Sequence, residues 1–354
     1  MLLPYRPRTP EAAVDDGVDV EILRRFVRTQ QVHWSDAFGR EGYAALMREC
    51  VNAVVPLRPL PVRRVDGLAA ELDTNGYVSL GPVLTDRQVE EVVAYLRTRP
   101  CYAGHHVFVP DAGTPPLRLG GEAERNRFTS YSREDLMLAP HLVELATSPT
   151  VVDLATRHLG CLPSFYSLNS FWSFPGHGVA DVGQQFHRDY DDFNFVSLFV
   201  CLTDVDETNG PHAYIRGTHR LNSFLNLWAA KRKNPGRLKP ETVRIMDGTR
   251  PEKTFANRWA GYGIDWFWED LFGDETDLIQ GPAGTGFVTD VYGLHRGMPL
   301  TGDKPRLIVW IRFGLYANPG TESATRFSRA RLGDRVGADP VTRYVTRLIL
   351  DWAR

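Results

Sequence analysis

The 354-residue chain carries 41 Lys and Arg against 43 Asp and Glu, a net charge of −2. That balance exerts no broad pull toward nucleic acid or an anionic membrane surface, so neither is expected as a partner. With 43% hydrophobic and 24% charged residues, the composition is that of an ordinary globular protein able to bury a sizeable core. Cys50, Cys101, Cys161 and Cys201 are far apart, with no Cys-x-x-Cys. This argues against a zinc knuckle or disulfide framework and fits a reducing compartment. The first residues lack the apolar core of a signal peptide and no 18-residue apolar run follows, so a cytoplasmic location is expected.

Residues 1–18, with Pro4, Pro7 and Pro10, read as an irregular arm. Val20, Leu23, Phe26 and Val27 then recur at helical spacing between Val18 and Trp34, and a second helix is expected over Glu41–Ala53. Pro56, Pro59 and Pro61 make a stiff connector. Residues 1–60 are thus expected to be an N-terminal helical extension and 61–354 the main domain. Asp66–Thr74 reads as a helix and Tyr77–Leu80 as a short strand. Asp86–Arg97 follows as a helix capped by Thr85, with Val89, Val92, Val93 and Leu96 on its apolar stripe. The polar segment Tyr102–Arg127 contains His105 and His106, more simply a solvated pair than an active-site pair. Arg133–Ala146, broken near Pro140, and Thr150–His158 are further helical segments.

At Ser164–Phe174 the period changes. Leu168, Trp172 and Phe174 fall on one side, and Ser167, Asn169, Phe171 and Ser173 on the other, as on a strand with one apolar face. The second face either meets solvent or lines a polar cavity; in the latter case Asn169 is the residue here best suited to bind a cosubstrate or substrate. Phe193–Thr203 is apolar at nearly every position and reads as a strand buried on both sides. A tight acidic turn, Asp204–Gly210, leads to a return strand at Ala213–Ile215. Residues 221–281 form a long insertion holding Trp228, Trp259, Trp266 and Trp268 and a basic run, Lys231–Lys239. It suits a lid over a binding site and, equally, a packed helical insertion with a charged face. The strands Gly286–Thr289 and Arg306–Leu315 and a terminal helix, Val341–Trp352, complete the chain.

The chemistry concentrates in Gln184-Gln-Phe-His-Arg-Asp-Tyr190. His187 and Asp189 are two positions apart, so on an extended strand both point to one face. With a third ligand from His295 they make a two-His, one-carboxylate triad, which leaves three metal positions open and typifies non-haem Fe(II) oxygenases. Eleven residues after His295, Arg306 opens the apolar run Leu307–Ile311. A charged residue entering a buried strand is costly unless paired, and a guanidinium fork matches a carboxylate. No carboxylate of the chain is an obvious partner, Asp303 falling on the turn before the strand.

This order, His-x-Asp, a distant His, ten residues and Arg, resembles the phytanoyl-CoA dioxygenase family of Fe(II)/2-oxoglutarate oxygenases. Asn209-Gly-Pro-His-Ala-Tyr-Ile-Arg-Gly-Thr-His-Arg220 is similar to that family's Asn-Gly…Pro-Gly-Ser-His segment, with Arg216 in place of the usual Pro. Asn75-Gly-Tyr-Val-Ser-Leu, before Val83-Leu-Thr-Asp-Arg-Gln-Val, resembles its N-terminal strand and helix, so the resemblance spans about residues 65–316. It implies a mainly β fold with flanking helices around a double-stranded β-helix (jelly-roll, cupin-like) core. His187, Asp189 and His295 would hold Fe(II), and Arg306 the far carboxylate of 2-oxoglutarate. O2 would take the last metal position, and His219 would be structural. The implied reaction is hydroxylation of an unactivated C–H of a small molecule, releasing succinate and CO2. Asp189 favours that outcome over halogenation, since related halogenases carry a small residue in its place. The rival readings are a metal-binding cupin-like barrel without oxygenase activity and an assembly protein. The aromatic and basic insertion suits an apolar or cyclic substrate with an acidic group.

Overall fold

The computed structural model describes residues 37–104, 113–178, 182–246, 264–315 and 326–352. The arm and first helix read over residues 1–34, His105, His106 and Trp259 lie outside them.

Helix α1 covers Ala37–Val54, and the proline connector leads to α2, Val65–Asn75. Gly76 ends α2 at φ 86°, donating its N–H to Leu72 O. A Cβ at Gly76 would also fall 2.2 Å from Tyr214 Oη and 2.6 Å from His219 Nδ1, so conformation and close approach both demand glycine. Strand β1 (Tyr77–Pro82) follows, then α3 (Asp86–Arg97). Thr85 and Gln88 make a reciprocal capping box: Thr85 Oγ1 accepts from Gln88 N, and Gln88 Oε1 accepts from Thr85 N. After β2 (Cys101–Ala103) and β3 (Phe128–Tyr131) come α4 (Arg133–Leu138) and α5 (Leu142–Ala146), broken at Pro140 as expected. Helix α6 (Pro149–Leu159) begins on proline and ends at Gly160, φ 75°.

The core strands are β4 (Ser164–Ser173), β5 (Phe195–Cys201) and β6 (His212–Ile215). Helices α7 (Leu221–Lys233), α8 (Pro240–Met246) and α9 (Asp265–Phe272) precede β7 (Thr276–Ile279). Strands β8 (Thr285–Thr289), β9 (His295–Gly297) and β10 (Arg306–Gly314) finish the core. The expected terminal helix is shorter: β11 (Phe327–Ser328) precedes α10 (Pro340–Thr346), and the chain then turns into β12 (Leu350–Asp351), parallel to β11. Leu350 is thereby buried against the core, which a longer solvent-side helix would not achieve.

Seven strands form one antiparallel sheet in the order β1-β8-β5-β10-β4-β3-β2, and three form a smaller one, β7-β6-β9. The His187–His295 bridge extends the small sheet by a short fourth segment. Two antiparallel sheets with these crossovers and helices outside make the jelly-roll core. On β10, Leu307, Val309 and Ile311 point out to the helices with Leu168 and Trp172 of β4, Val92 of α3 and Leu72 of α2. Arg306, Ile308, Trp310 and Arg312 alternate with them and point between the sheets. Each fully buried leucine or valine in the outer layer is worth about 1.5–3 kcal/mol of transfer free energy.

Within 221–281 the described helices pack outward. Phe224, Phe267, Trp268 and Phe272 cluster with Ala213 and Ile215 on the outer face of the small sheet. Residues 276–279 belong to that sheet rather than to an insertion. Four residues, Thr-Asp-Leu-Ile, carry too little alternation to announce a strand. Residues 247–263 lie outside the described part.

Candidate metal centre

His187 and His295 face each other across the antiparallel bridge, each backbone N–H donating to the other's carbonyl at 2.9 and 3.0 Å. Each ring also donates Nδ1–H to a carbonyl two residues back, His187 to Gln185 O at 2.7 Å and His295 to Gly293 O at 2.9 Å. A carbonyl can only accept, so both rings carry a proton on Nδ1, which makes Nε2 the nitrogen that would ligate a metal. Burial and the neighbouring His187 lower the pKa of His295 to about 4, keeping it in the neutral form that binds metal. The Asp189 N–H donates to Val291 O at 2.9 Å, and its Oδ1 lies 3.5 Å from His187 Nε2. The three side chains offer ligand atoms that all lie within 4.8 Å of one another. Two imidazoles and one carboxylate converging beside a cavity suit a ferrous ion, with further positions left for other ligands.

Between and around the ligands, other groups hold the site. Arg188 is fully buried and donates Nη1 to Thr218 O at 2.7 Å and Tyr292 O at 2.5 Å. Thr218 Oγ1 in turn accepts from Leu294 N at 2.8 Å, bracing the residue before His295. The Gly-Thr-His segment thus ties both ligand strands together. His219 Nε2 donates to Asp73 O at 3.2 Å, away from the triad. Arg216, where the family-like segment has Pro, reaches across to Asp277 and donates to Asp274 O at 3.1 Å.

The cavity beside the triad is about 140 Å³. Phe128, Phe171, Phe199 and Trp310 line its apolar side, and Arg306 its polar end. Arg306 is 4% exposed; it donates to Gly210 O through Nη1 and to Ser173 Oγ through Nη2, and its Nε has no partner among the described residues. Among the described residues no carboxylate pairs with it, and burial lowers its pKa to about 10. A buried cation left without an anion carries a desolvation cost that a bound anion would offset.

The family model described as phytanoyl-CoA dioxygenase (PhyH) matches residues 72–253, slightly over half of the 354 residues. The chain belongs to that family. The PhyH match includes His187 and Asp189 and ends before His295 and Arg306, which the fold brings to the same cavity. Solved structures similar to this PhyH chain include the non-haem α-ketoglutarate-dependent epimerase SnoN from nogalamycin biosynthesis, 17% identical over 71% of this chain and 82% of that one, TM-score 0.44. Another is EctD from S. alaskensis with bound Fe, 17% identical over 72% and 76%, TM-score 0.41. A third is EvdO2 from Micromonospora carbonacea var. aurantiaca, complexed with 2-oxoglutarate, 14% identical over 73% and 92%, TM-score 0.41. No curated protein sequence matches the chain.

Asn169 lies on the inward face of β4 opposite Trp310 and donates to Ser167 Oγ at 2.5 Å. It is 5% exposed and does not line the cavity that holds the triad. Two residues that do line it were not singled out from sequence. Arg312 donates Nη2 to Asp189 Oδ2 at 2.8 Å and pairs through Nη1 with Asp191. His212 stacks on His295 at 5.2 Å between centroids. Strand parity was the available signal for Arg312, six residues after Arg306 and therefore on the same face. His212 carried none beyond its place in the Asn-Gly segment.

Proposed function

We propose that this PhyH-family chain is an Fe(II)- and 2-oxoglutarate-dependent dioxygenase that hydroxylates an unactivated C–H of a small molecule. One observation carries the reading: a buried guanidinium without a carboxylate partner among the described residues shares a cavity with a two-His, one-carboxylate cluster. A metal barrel serving some other end has no use for that cation.

His187, Asp189 and His295 would hold the iron, and Arg306 the distal carboxylate of 2-oxoglutarate through a charge-assisted fork. When bound, iron and cosubstrate supply the oxidising power that puts one oxygen atom of O2 into the substrate C–H and the other into succinate, with release of CO2. This chain's residues orient and shield. The Nδ1–H bonds to Gln185 and Gly293 hold both imidazoles in the ligating tautomer. Phe128, Phe171, Phe199 and Trp310 keep the cavity wall apolar, excluding water from the reacting centre and favouring an apolar or ring-containing substrate.

The test is succinate formation from 2-oxoglutarate with ferrous iron and ascorbate, followed against cosubstrate concentration. Wild-type protein should release succinate, and His295→Ala should not. Arg306→Ala should raise the apparent KM for 2-oxoglutarate about ten- to a hundredfold, from about 1.5–3 kcal/mol for a charged hydrogen bond. Arg306→Lys should recover part of that loss. An unchanged KM in the Ala variant would make Arg306 a structural cation and remove the cosubstrate assignment.

A further inference from the structure

We propose that His212 reads the distal carboxylate of the cosubstrate, its imidazole Nε2–H donating to the same anion that Arg306 holds. The inference rests on the reading of the cavity as a 2-oxoglutarate site and adds a specificity residue to it.

His212 opens β6, and its side chain shares the inward face of the small sheet with Tyr214, while Ala213 and Ile215 face outward into the helical layer. The residue is 7% exposed, and Nε2 is buried with no hydrogen-bond partner among the described residues. Aromatic neighbours fix the ring: Phe199 at 4.9 Å, Phe287 at 5.3 Å and His295 at 5.2 Å between centroids. A ring clamped this firmly cannot swing out to find water, so the unpaired nitrogen is a standing cost that a bound group can offset.

Three observations say what that group is. First, His212 lines the cavity containing the triad and Arg306. Second, it stands beside the guanidinium. Its cross-strand partner is Gly297, where a Cβ would touch Arg306 Nη2 at 3.4 Å, and two residues before it Gly210 O accepts from Arg306 Nη1. Third, the side chain that Arg306 does bond, Ser173, is neutral, and no carboxylate pairs with the guanidinium among the described residues. A partner for Nε2 here is one that Arg306 also attracts, which is an oxygen of a carboxylate. With Arg306 forked onto that carboxylate, an imidazole N–H at its flank completes the set of donors. Gly297 leaves room beside the guanidinium: a Cβ there would already touch both Arg306 Nη2 and Nη1, at 3.4 and 3.7 Å.

The experiment uses full-length protein loaded with Mn(II), which binds without turnover, and two probes measured by calorimetry. One is 2-oxoglutarate; the other is 2-oxopentanoate, the same chain with a methyl in place of the distal carboxylate. In wild-type protein the dicarboxylate should bind far more tightly. His212→Leu should weaken 2-oxoglutarate about ten- to a hundredfold and leave 2-oxopentanoate and Mn(II) affinity within about twofold. His212→Gln, whose amide can donate from a similar position, should recover part of the loss, which a packing defect would not permit. Unchanged 2-oxoglutarate affinity in His212→Leu, or equal losses for both probes, would overturn the assignment while leaving the cosubstrate reading intact. Failure of wild-type Mn(II) protein to bind 2-oxoglutarate would overturn the cosubstrate reading and this inference with it.

Discussion

Arg312 shows how much of this site lies one bond away from the ligands. Its two nitrogens join Asp189 to Asp191, and Tyr166 Oη donates to the same Asp191 oxygen at 3.3 Å. The pair fixes which way the Asp189 carboxylate faces, leaving Oδ1 nearest His187. Groups that orient a ligand in this way commonly set metal affinity by about ten- to a hundredfold. Arg312→Ala should therefore weaken Mn(II) binding by that factor in a calorimetric titration, and Arg312→Lys should restore only part. Equal metal affinity in both variants would reduce Arg312 to packing. His187 and Asp189 were readable as a pair from their two-residue spacing, whereas His295 joined them only through the family-like order that ends in Arg306. Arg312 was legible only in principle: strand parity gives its face, whereas its carboxylate partners are set by tertiary contacts.

At the scale of elements, the long periodic segments were readable and the short ones were not. Helix α3 appears with the expected bounds because cap, stripe and length agree, its N-terminus closed by Thr85 and Gln88. Thr85→Ala should cost about 1 kcal/mol in chemical denaturation, with turnover unchanged because the cap is exposed and does not line the cavity. A larger loss would mean the helix does more for the sheet than cover it. Strands β7 and β9 have four and three residues. Elements so short carry little pattern of their own, and β9 forms where His295 bridges to His187 and pairs with β6. The segment expected as a lid shows its described helices on the outer face of the small sheet, where Arg296 meets Asp265 and Glu269 of α9. Its tryptophans read ambiguously because an aromatic stripe serves core and binding surface alike.

Across the whole molecule, one buried charge network joins the helical layer to the β8–β9 turn. Asp290 Oδ2 faces His158 Nε2 at 3.2 Å, His158 Nδ1 faces Asp73 at 2.8 Å, and Asp73 meets Arg220 at 2.9 Å. Arg40 Nη2 stands 3.9 Å from Asp290 Oδ1, and the His219 ring 6.5 Å from that of His158. Burial works against a charged His158, but the hydrogen bonds to Asp290 and Asp73 outweigh it and raise its pKa. Burial likewise opposes a charged Asp290, yet His158 and Arg40 hold that carboxyl well below its usual range. A raised histidine pKa stabilises below the unfolded value of about 6.5, and the benefit is lost as pH rises through the folded value. A depressed carboxyl stabilises above about 3.9 and loses its benefit as pH falls toward the folded value. The network is therefore complete between about pH 4 and pH 6.5. His158→Gln should cost about 3–5 kcal/mol near pH 6, the usual penalty for breaking a buried pair, and less at pH 9. A pH-independent deficit in denaturant titrations would assign the loss to packing alone.

Coupling of the metal triad to 2-oxoglutarate through Arg306 would leave its mark on the succinate, where isotope labelling can read it. Full-length protein is supplied with ferrous iron, 2-oxoglutarate and 18O-labelled dioxygen, and the succinate is analysed by mass spectrometry. Each succinate should carry one labelled oxygen atom, in the presence of iron and not without it. Unlabelled succinate, or none at all from protein that binds the metal, would contradict that coupling.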